Sequence, residues 1–394
     1  MYMWQRFDLA EIRDDMALLA MLKLRVVRFF LMWEDFQPTA ERVDPLMLDR
    51  LELVMNAIGD AGLTAMPTLF TGHMSGVNWL PEWALDAHAL AGRFRTMSHG
   101  RFVPFGIGDF YVEPLLQTQI AFARAVGERL RDHPALYMWD LGNEFSNLRE
   151  PNEPADAANW SARLTEALLQ TSNRPVTAGT HGEDITRDRN IRLSSLTKPF
   201  ELATMHGYSV YSSFAQGRMD TGVVPFLMQV AQSCAGKPVL FSEFGNPTCP
   251  PGTTSPYDRV PLPGEKVDLV ADASKNPALF ACLTEEEMSD YAYGVLDKLH
   301  KRGALGAYWW CYADYAGDVA KLPPFDKAPH ELTFGIVRAD GSPKPIATTL
   351  RKFAKERREV IPPPAPIIDE VQYYAHLPKV LNETYTHYLQ SWRT

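Results

Sequence analysis

Two short, mostly apolar runs each carry a glutamate at their end. Asn143 and Glu144 close ALYMWDLGNE, and Glu243 lies in PVLFSEFGN. If both runs are strands of one sheet with a common rim, the two carboxylates face each other there. Such a pair is what glycosidic bond cleavage requires: one protonates the leaving oxygen and the other meets the oxocarbenium-like carbon. Either glutamate alone is a weak signal, because carboxylates at strand ends also cap helices or pair with arginine. Further chemistry falls at the same kind of place. MHGYSVY sets His206 and Tyr208 after a strand-like run, and LGAYWW delivers Trp309 and Trp310, flat rings suited to the apolar face of a sugar. Arg28 interrupts LRVVRFFLMW, where a buried guanidinium calls for a carboxylate partner.

These residues need a scaffold that repeats. The chain alternates amphipathic stretches with short, almost continuous apolar runs, the pattern of a parallel sheet covered by helices. A helix is expected from Leu9 to Leu22, with Asp8 as N-cap and a face of Ile12, Met16, Leu19 and Leu22. The strand Leu24 to Trp33 follows. Asp44 and Pro45 open a helix that ends near Gly62, and Leu63 to Phe70 is the next strand. The beat continues through helix Glu113 to Arg131, strand Ala135 to Leu141, helix Trp160 to Leu169, strand Pro175 to Gly179 and strand Glu201 to His206. It closes with helix Val223 to Cys234, strand Pro238 to Ser242, a helix Glu285 to Lys301 opened by a Thr284/Glu287 capping box, strand Leu305 to Trp310 and helix Pro345 to Arg357. Seven strands are counted, with Glu183 to Ser195 irregular. The expected architecture is a (β/α)8 TIM barrel with one strand unaccounted for. A doubly wound sheet is disfavoured because no Gly-rich phosphate turn follows any strand.

The set Asn143-Glu144, His206-x-Tyr208, Glu243 in SEFG, and Trp310 resembles clan A of the glycoside hydrolases, and within it family 5, the cellulases, β-mannanases and relatives. The likeness covers most of the chain, from about Arg28 to the helix near Arg357. It implies a retaining mechanism with Glu144 as acid/base, Glu243 as nucleophile, and carboxyls about 5 to 5.5 Å apart. A partly apolar setting beside Trp139 and Phe145 would raise the acid, and Arg28 with the Tyr208 hydroxyl would keep the nucleophile ionised. Asn143 would hold the sugar 2-OH, His206 would brace the site and Trp310 would be its platform, with Trp309 turned into packing. His73 is a sugar-contact candidate, with a loop hydrogen-bonder as its bland alternative. The implied substrate is a β-linked glucan or mannan; a catalytically silent carbohydrate-binding barrel is the alternative of another class.

Blander roles are expected elsewhere. Trp79 and Trp83 in NWLPEW either form subsites or pin their own loop. Glu34 and Asp35 fix a helix start or pair with arginine, and Asp140 is a structural hydrogen-bonder. The runs Arg13 to Asp15 and Arg187 to Arg189 read as solvated faces. No metal or cofactor is expected: His99, His133, His181, His300 and His330 show no ligand spacing, and a metal-dependent aldolase or hydrolase would need clustered ligands.

Length and composition frame this reading. The 394 residues carry 39 Lys+Arg against 48 Asp+Glu, a net charge of −9, without a basic stripe. Nucleic acid and anionic membrane are therefore poor partners. No apolar stretch approaches the ~20 residues that span a bilayer. Cys234, Cys249, Cys282 and Cys311 form no CxxC pair, and buried free thiols are expected, with a Cys249 to Cys282 bridge as the exception. Two insertions, Thr71 to Val112 and Phe244 to Leu283, are long loops on the face where barrel sites are built. Residues 1–358 are expected to form the barrel, and 359–394 a proline-rich linker with an aromatic segment packing on it. The chain opens on what reads as the loop after a first strand. A barrel short of one strand exposes two unpaired edges, so the start is expected to be internal to a longer reading frame, unless another segment fills the gap.

Overall fold

Seven apolar runs form parallel strands, and the computed structural model describes them within residues 1–249, 282–356, 360, 362 and 366–391. The chain divides into two units, Met1–Thr180 with Arg189–Ala203, and His181–Asp188 with Thr204–Thr394.

In the first unit, β1 (Val26–Met32), β2 (Thr64–Thr71), β3 (Trp139–Asn143) and β4 (Val176–Gly179) are neighbours in that order in a parallel sheet. Every residue of β3 and β4 is buried, which is why these runs show no polar alternation. Helix α1 (Leu9–Met21) starts where Asp8 accepts the N–H groups of Ala10 and Glu11, and it buries Ile12, Met16 and Leu19. Asp44 and Pro45 open α2 (Pro45–Asp60), with Gly62 at φ 73° past its end. Helices α3 (Leu115–Arg129) and α4 (Pro154–Leu169) pack together. Helix α4 begins earlier than Trp160 because Pro154 at its first turn and a Glu153/Asp156 capping box start it there.

The segment after β2 is more ordered than the expected loop. Its strands His73–Met74, Val77–Trp79, Arg95–Ser98 and Arg101–Val103 form a small sheet, and Leu85–Leu90 pairs with Phe105–Ile107. Trp79 Nε1 donates to Met74 O and Trp83 Nε1 to Gln37 O, so both rings pin this insertion down. Glu34 and Asp35 lie in the first turn of the helix Trp33–Phe36. They accept hydrogen bonds from the His99 N–H and from Gln5.

In the second unit, β5 (Ala203–His206), β6 (Val239–Phe244) and β7 (Gly306–Trp309) form a three-stranded sheet in that order. Helix α5 (Val223–Ala235) is buried along most of its length. The Thr284/Glu287 capping box opens α6 (Glu285–Lys301) as expected, and α7 (Pro345–Lys355) packs on it. The short helices α8 (Glu370–Ala375) and α9 (Lys379–Gln390) follow. Tyr385 and Tyr388 set their rings on Phe226 of α5, at 4.8 and 5.5 Å, and Tyr374 donates to Asp184 O.

Cys249 and Cys282 form a disulfide, the bridge named above as the exception to free thiols; the residues between them lie outside the described residues. Cys234 and Cys311 are free. Burial pushes the Cys234 thiol up to about 12 and raises Cys311 further, so neither is primed as a nucleophile. No helix among the described residues is long and apolar enough to cross a membrane.

Candidate active site

Asn143, Glu144, His206, Tyr208, Glu243 and Trp310 sit at or just past the C-terminal ends of strands, and three of the strand pairings slip register near such ends: between Phe30 and Met32, Thr177 and Gly179, and Phe241 and Phe244. Such irregularities re-aim the side chains that follow.

In the first unit, β1 presents Arg28 to β3. Its Nε donates to Asp140 Oδ2 at 2.9 Å, and its Nη2 lies 2.8 Å from the same oxygen. Asp140 is fully buried and also accepts from Thr68 Oγ1, so the guanidinium has the carboxylate partner its burial demands. Arg28 Nη2 further donates to Asn143 Oδ1 at 2.9 Å, and Asn143 Nδ2 donates to His73 O at 2.9 Å. The Asn143 amide is thereby oriented, its oxygen toward the cation.

Glu144 has left-handed backbone angles, φ 47° and ψ 43°, an uncommon conformation for a non-glycine residue. Its N–H still donates to Gly179 O across to β4. A Cβ on Gly179 would come 2.1 Å from Gly142 O and 3.3 Å from Arg28 Nη2, so only glycine lets the two strand ends close at this point. The Glu144 carboxylate accepts from Asn147 Nδ2 at 3.0 Å, and His73 Nε2 lies 3.8 Å from the same Oε2. His73 Nδ1 meets Asn78 Oδ1 at 2.7 Å, while Asn78 Nδ2 donates to Asn147 O. The donor in the first contact is therefore Nδ1–H. Phe145 turns its ring into a cluster with Trp160 and Tyr111, and in this unit the Glu144 carboxylate has the polar company of Asn147 and His73.

In the second unit, Glu243 on β6 is buried. Its Oε1 accepts a short hydrogen bond from the Tyr208 hydroxyl, and His206 Nδ1 lies 3.7 Å from Oε2. Gly207 N–H donates to Glu243 O, tying the end of β5 to β6. The Tyr208 ring stands edge-on to Tyr211 and Phe334, and Trp310 packs against this cluster. Trp309 points into packing with Phe244 and Tyr291 and donates to Phe334 O.

Several participants escaped the sequence reading. Arg189, expected on a solvated face, is buried: it donates to Glu150, Ser146 and Asn147. Tyr211 donates to the buried Glu331 at 2.8 Å and meets His330 Nε2 at 3.0 Å. Nothing in the spacing of these residues announces them, because their partners come from distant turns.

No protein-family model and no curated protein sequence matches the chain. Solved structures do. An exo-β-1,4-mannosidase, Op5Man5 from Opitutaceae bacterium strain TAV5, is 25% identical over 90% of this chain with a TM-score of 0.69. A GH5_18 structure from Streptomyces cattleya in complex with GlcNAc is 19% identical over 92% of this chain, with a TM-score of 0.72. The chain has the fold of glycoside hydrolase family 5 in clan A. A GH5_18 variant from Streptomyces cattleya in complex with Manβ1-4GlcNAc gives 19% identity over 93% of this chain and a TM-score of 0.69. This family 5-like chain spans 57% of the length of the Op5Man5 structure and 79% of each GH5_18 structure.

Proposed function

We propose that the protein is a retaining β-glycoside hydrolase acting on β-mannosyl or β-glucosyl oligosaccharides. The observation that carries the reading is the setting of Glu243. A buried carboxylate that accepts the Tyr208 hydroxyl, with His206 beside its other oxygen, is an oriented anion suited to nucleophilic attack. Glu144 is the less buried of the two and takes the acid/base role.

In the first step Glu144 gives its proton to the glycosidic oxygen as the bond from that oxygen to the anomeric carbon breaks. Glu243 forms an ester to the same carbon from the opposite face. In the second step Glu144, now a carboxylate, removes a proton from water, which attacks the anomeric carbon and releases the sugar with the configuration it began with. Pairing of the two glutamates is part of the proposal, since retention needs carboxyls about 5 to 5.5 Å apart. Asn143, its oxygen held by Arg28, keeps an amide N–H for the sugar 2-OH. Trp310 supplies a stacking face, and His73 borders the acid. Residues 1–358 would form the catalytic barrel and 359–394 an appendage to it.

The mannosyl alternative draws on the similar structures, one described as an exo-β-1,4-mannosidase and one in complex with Manβ1-4GlcNAc. A panel of aryl β-mannosides, β-glucosides and β1-4-linked disaccharides, followed by proton NMR of the first-formed anomer, tests the reading. Turnover of a β-linked substrate giving the β-anomer first supports it. Turnover giving the α-anomer first, or turnover of none of them, overturns it.

A further inference from the structure

We infer that Arg189 and Asn147 form a positioning relay for the Glu144 carboxyl, an inference that rests on the acid/base role proposed above. The relay is built within one unit of the fold. Glu144 leads into the 3-10 turn Phe145–Asn147, and the Asn147 N–H donates to Glu144 O at 2.8 Å. Side chains three apart eclipse in such a turn, which sets the Asn147 amide beside the carboxylate.

The polarity of that amide decides what it does. If its oxygen faced Glu144, two oxygens would repel; with its N–H there, the carboxyl is held by a donor. Arg189 makes the choice. A guanidinium has donors only, and Arg189 Nη1 donates to Asn147 Oδ1 at 2.8 Å, so Nδ2 is the atom that faces Glu144 Oε2, at 3.0 Å. The cation is itself anchored, through Nε to Glu150 Oε1 at 2.9 Å and through Nη1 to Ser146 Oγ at 3.1 Å. A buried arginine fixed at three points, with its charge aimed at the back of an amide that touches the proposed acid, has a use beyond filling space. It holds the plane of the Glu144 carboxyl as the proton leaves and returns. Arg189 and Asn147 touch no reacting atom and are positioning residues.

The test exploits the leaving group. Departure of 2,4-dinitrophenolate needs no protonation, whereas departure of phenolate does. Arg189→Met, Asn147→Leu and the double variant are assayed on phenyl and 2,4-dinitrophenyl β-mannosides, beside Glu144→Ala. Both substrates are read on one preparation, so the ratio is independent of how much of a variant has folded. The relay predicts a loss of roughly 10- to 100-fold in kcat/KM on the phenyl glycoside. On the dinitrophenyl glycoside it predicts a loss of less than about threefold, and the double variant should be no worse than the weaker single. Equal losses on both substrates, or fully additive ones, assign the residues to stability alone and overturn the relay. Glu144→Ala showing the leaving-group effect while both single variants behave as the parent also overturns the relay and leaves the acid in place. Glu144→Ala without a leaving-group effect removes the acid/base assignment itself, and the relay with it.

Discussion

The phenolic hydroxyl of Tyr208 donates to Oε1 of Glu243. The contact joins the turn after β5 to the strand β6, and the Gly207 to Glu243 backbone hydrogen bond secures the same crossing. A donor held by its own backbone against a buried carboxylate costs no reorganisation during reaction. Tyr208→Phe removes that donor and keeps the ring. We expect kcat to fall about 10- to 100-fold with KM changed less than about threefold, measured on the best aryl glycoside. A KM effect alone would show that the hydroxyl serves binding rather than the proposed nucleophile.

Gly179 is the backbone counterpart in the other unit. Gly179→Ala drives a methyl group against Gly142 O, and β3 must move away from β4. Because Glu144 donates its N–H to Gly179 O, the displacement carries the proposed acid with it. Activity should fall by roughly 100-fold while the far-UV circular dichroism spectrum stays that of the parent. Parental activity in the alanine variant would mean that the strand ends are not held as tightly as described.

The Cys249–Cys282 disulfide closes a separation of 33 residues. Closing a loop of that length stabilises by about 2 to 4 kcal/mol through the unfolded chain. A thiol titration of the denatured protein should count the two free cysteines, Cys234 and Cys311, and all four after reduction. Cys249→Ser with Cys282→Ser should lower Tm by several degrees; an unchanged Tm together with four thiols before reduction would exclude the bridge in solution.

Glu34 offers a test by pH. Burial raises its carboxyl above the ordinary value, more than the His99 N–H lowers it, and Asp35 adds to the rise. The folded chain therefore keeps this proton to higher pH than the unfolded chain does. Stability falls as pH rises from the ordinary carboxylate range through the raised value, and the full penalty stands above it. Glu34→Gln keeps an oxygen for the His99 N–H and removes the charge. Its Tm should exceed the parent's by about 1 to 3 °C at pH 7, a gain that disappears below the ordinary carboxylate range. A gain independent of pH would point to packing instead.

The scaffold was legible in the sequence where local physics decides it. Asp8, Asp44 and Thr284 cap helices as their positions announce, and the runs holding β2 to β6 lack polar alternation because both faces are covered. The strand after Ala135 proved harder. Its apolar stretch is longer than its ladder, and only hydrogen bonding selects Trp139–Asn143 as strand. The two small sheets after β2 escaped the sequence because their strands have only two to six residues, and the larger sheet carries Arg95 and Arg101. At the site, Asn143, Glu144, His206, Tyr208 and Glu243 could be found because each lies at or just past the end of a strand. Arg189 could not, since a charged triplet in a loop looks the same whether it meets water or the buried Ser146 and half-buried Asn147.

Glu243 as the nucleophile is the central claim of the proposed function. Incubation with 2,4-dinitrophenyl 2-deoxy-2-fluoro-β-mannoside or its glucoside, followed by intact mass and peptide mapping, reads this in one step, because the fluorine slows hydrolysis of the glycosyl ester and lets it accumulate. We predict a single fluoroglycosyl increment on Glu243, which a prior Glu243→Ala substitution abolishes. An increment on another residue, or turnover of the parent glycoside by an enzyme that forms no adduct with either reagent, would contradict it.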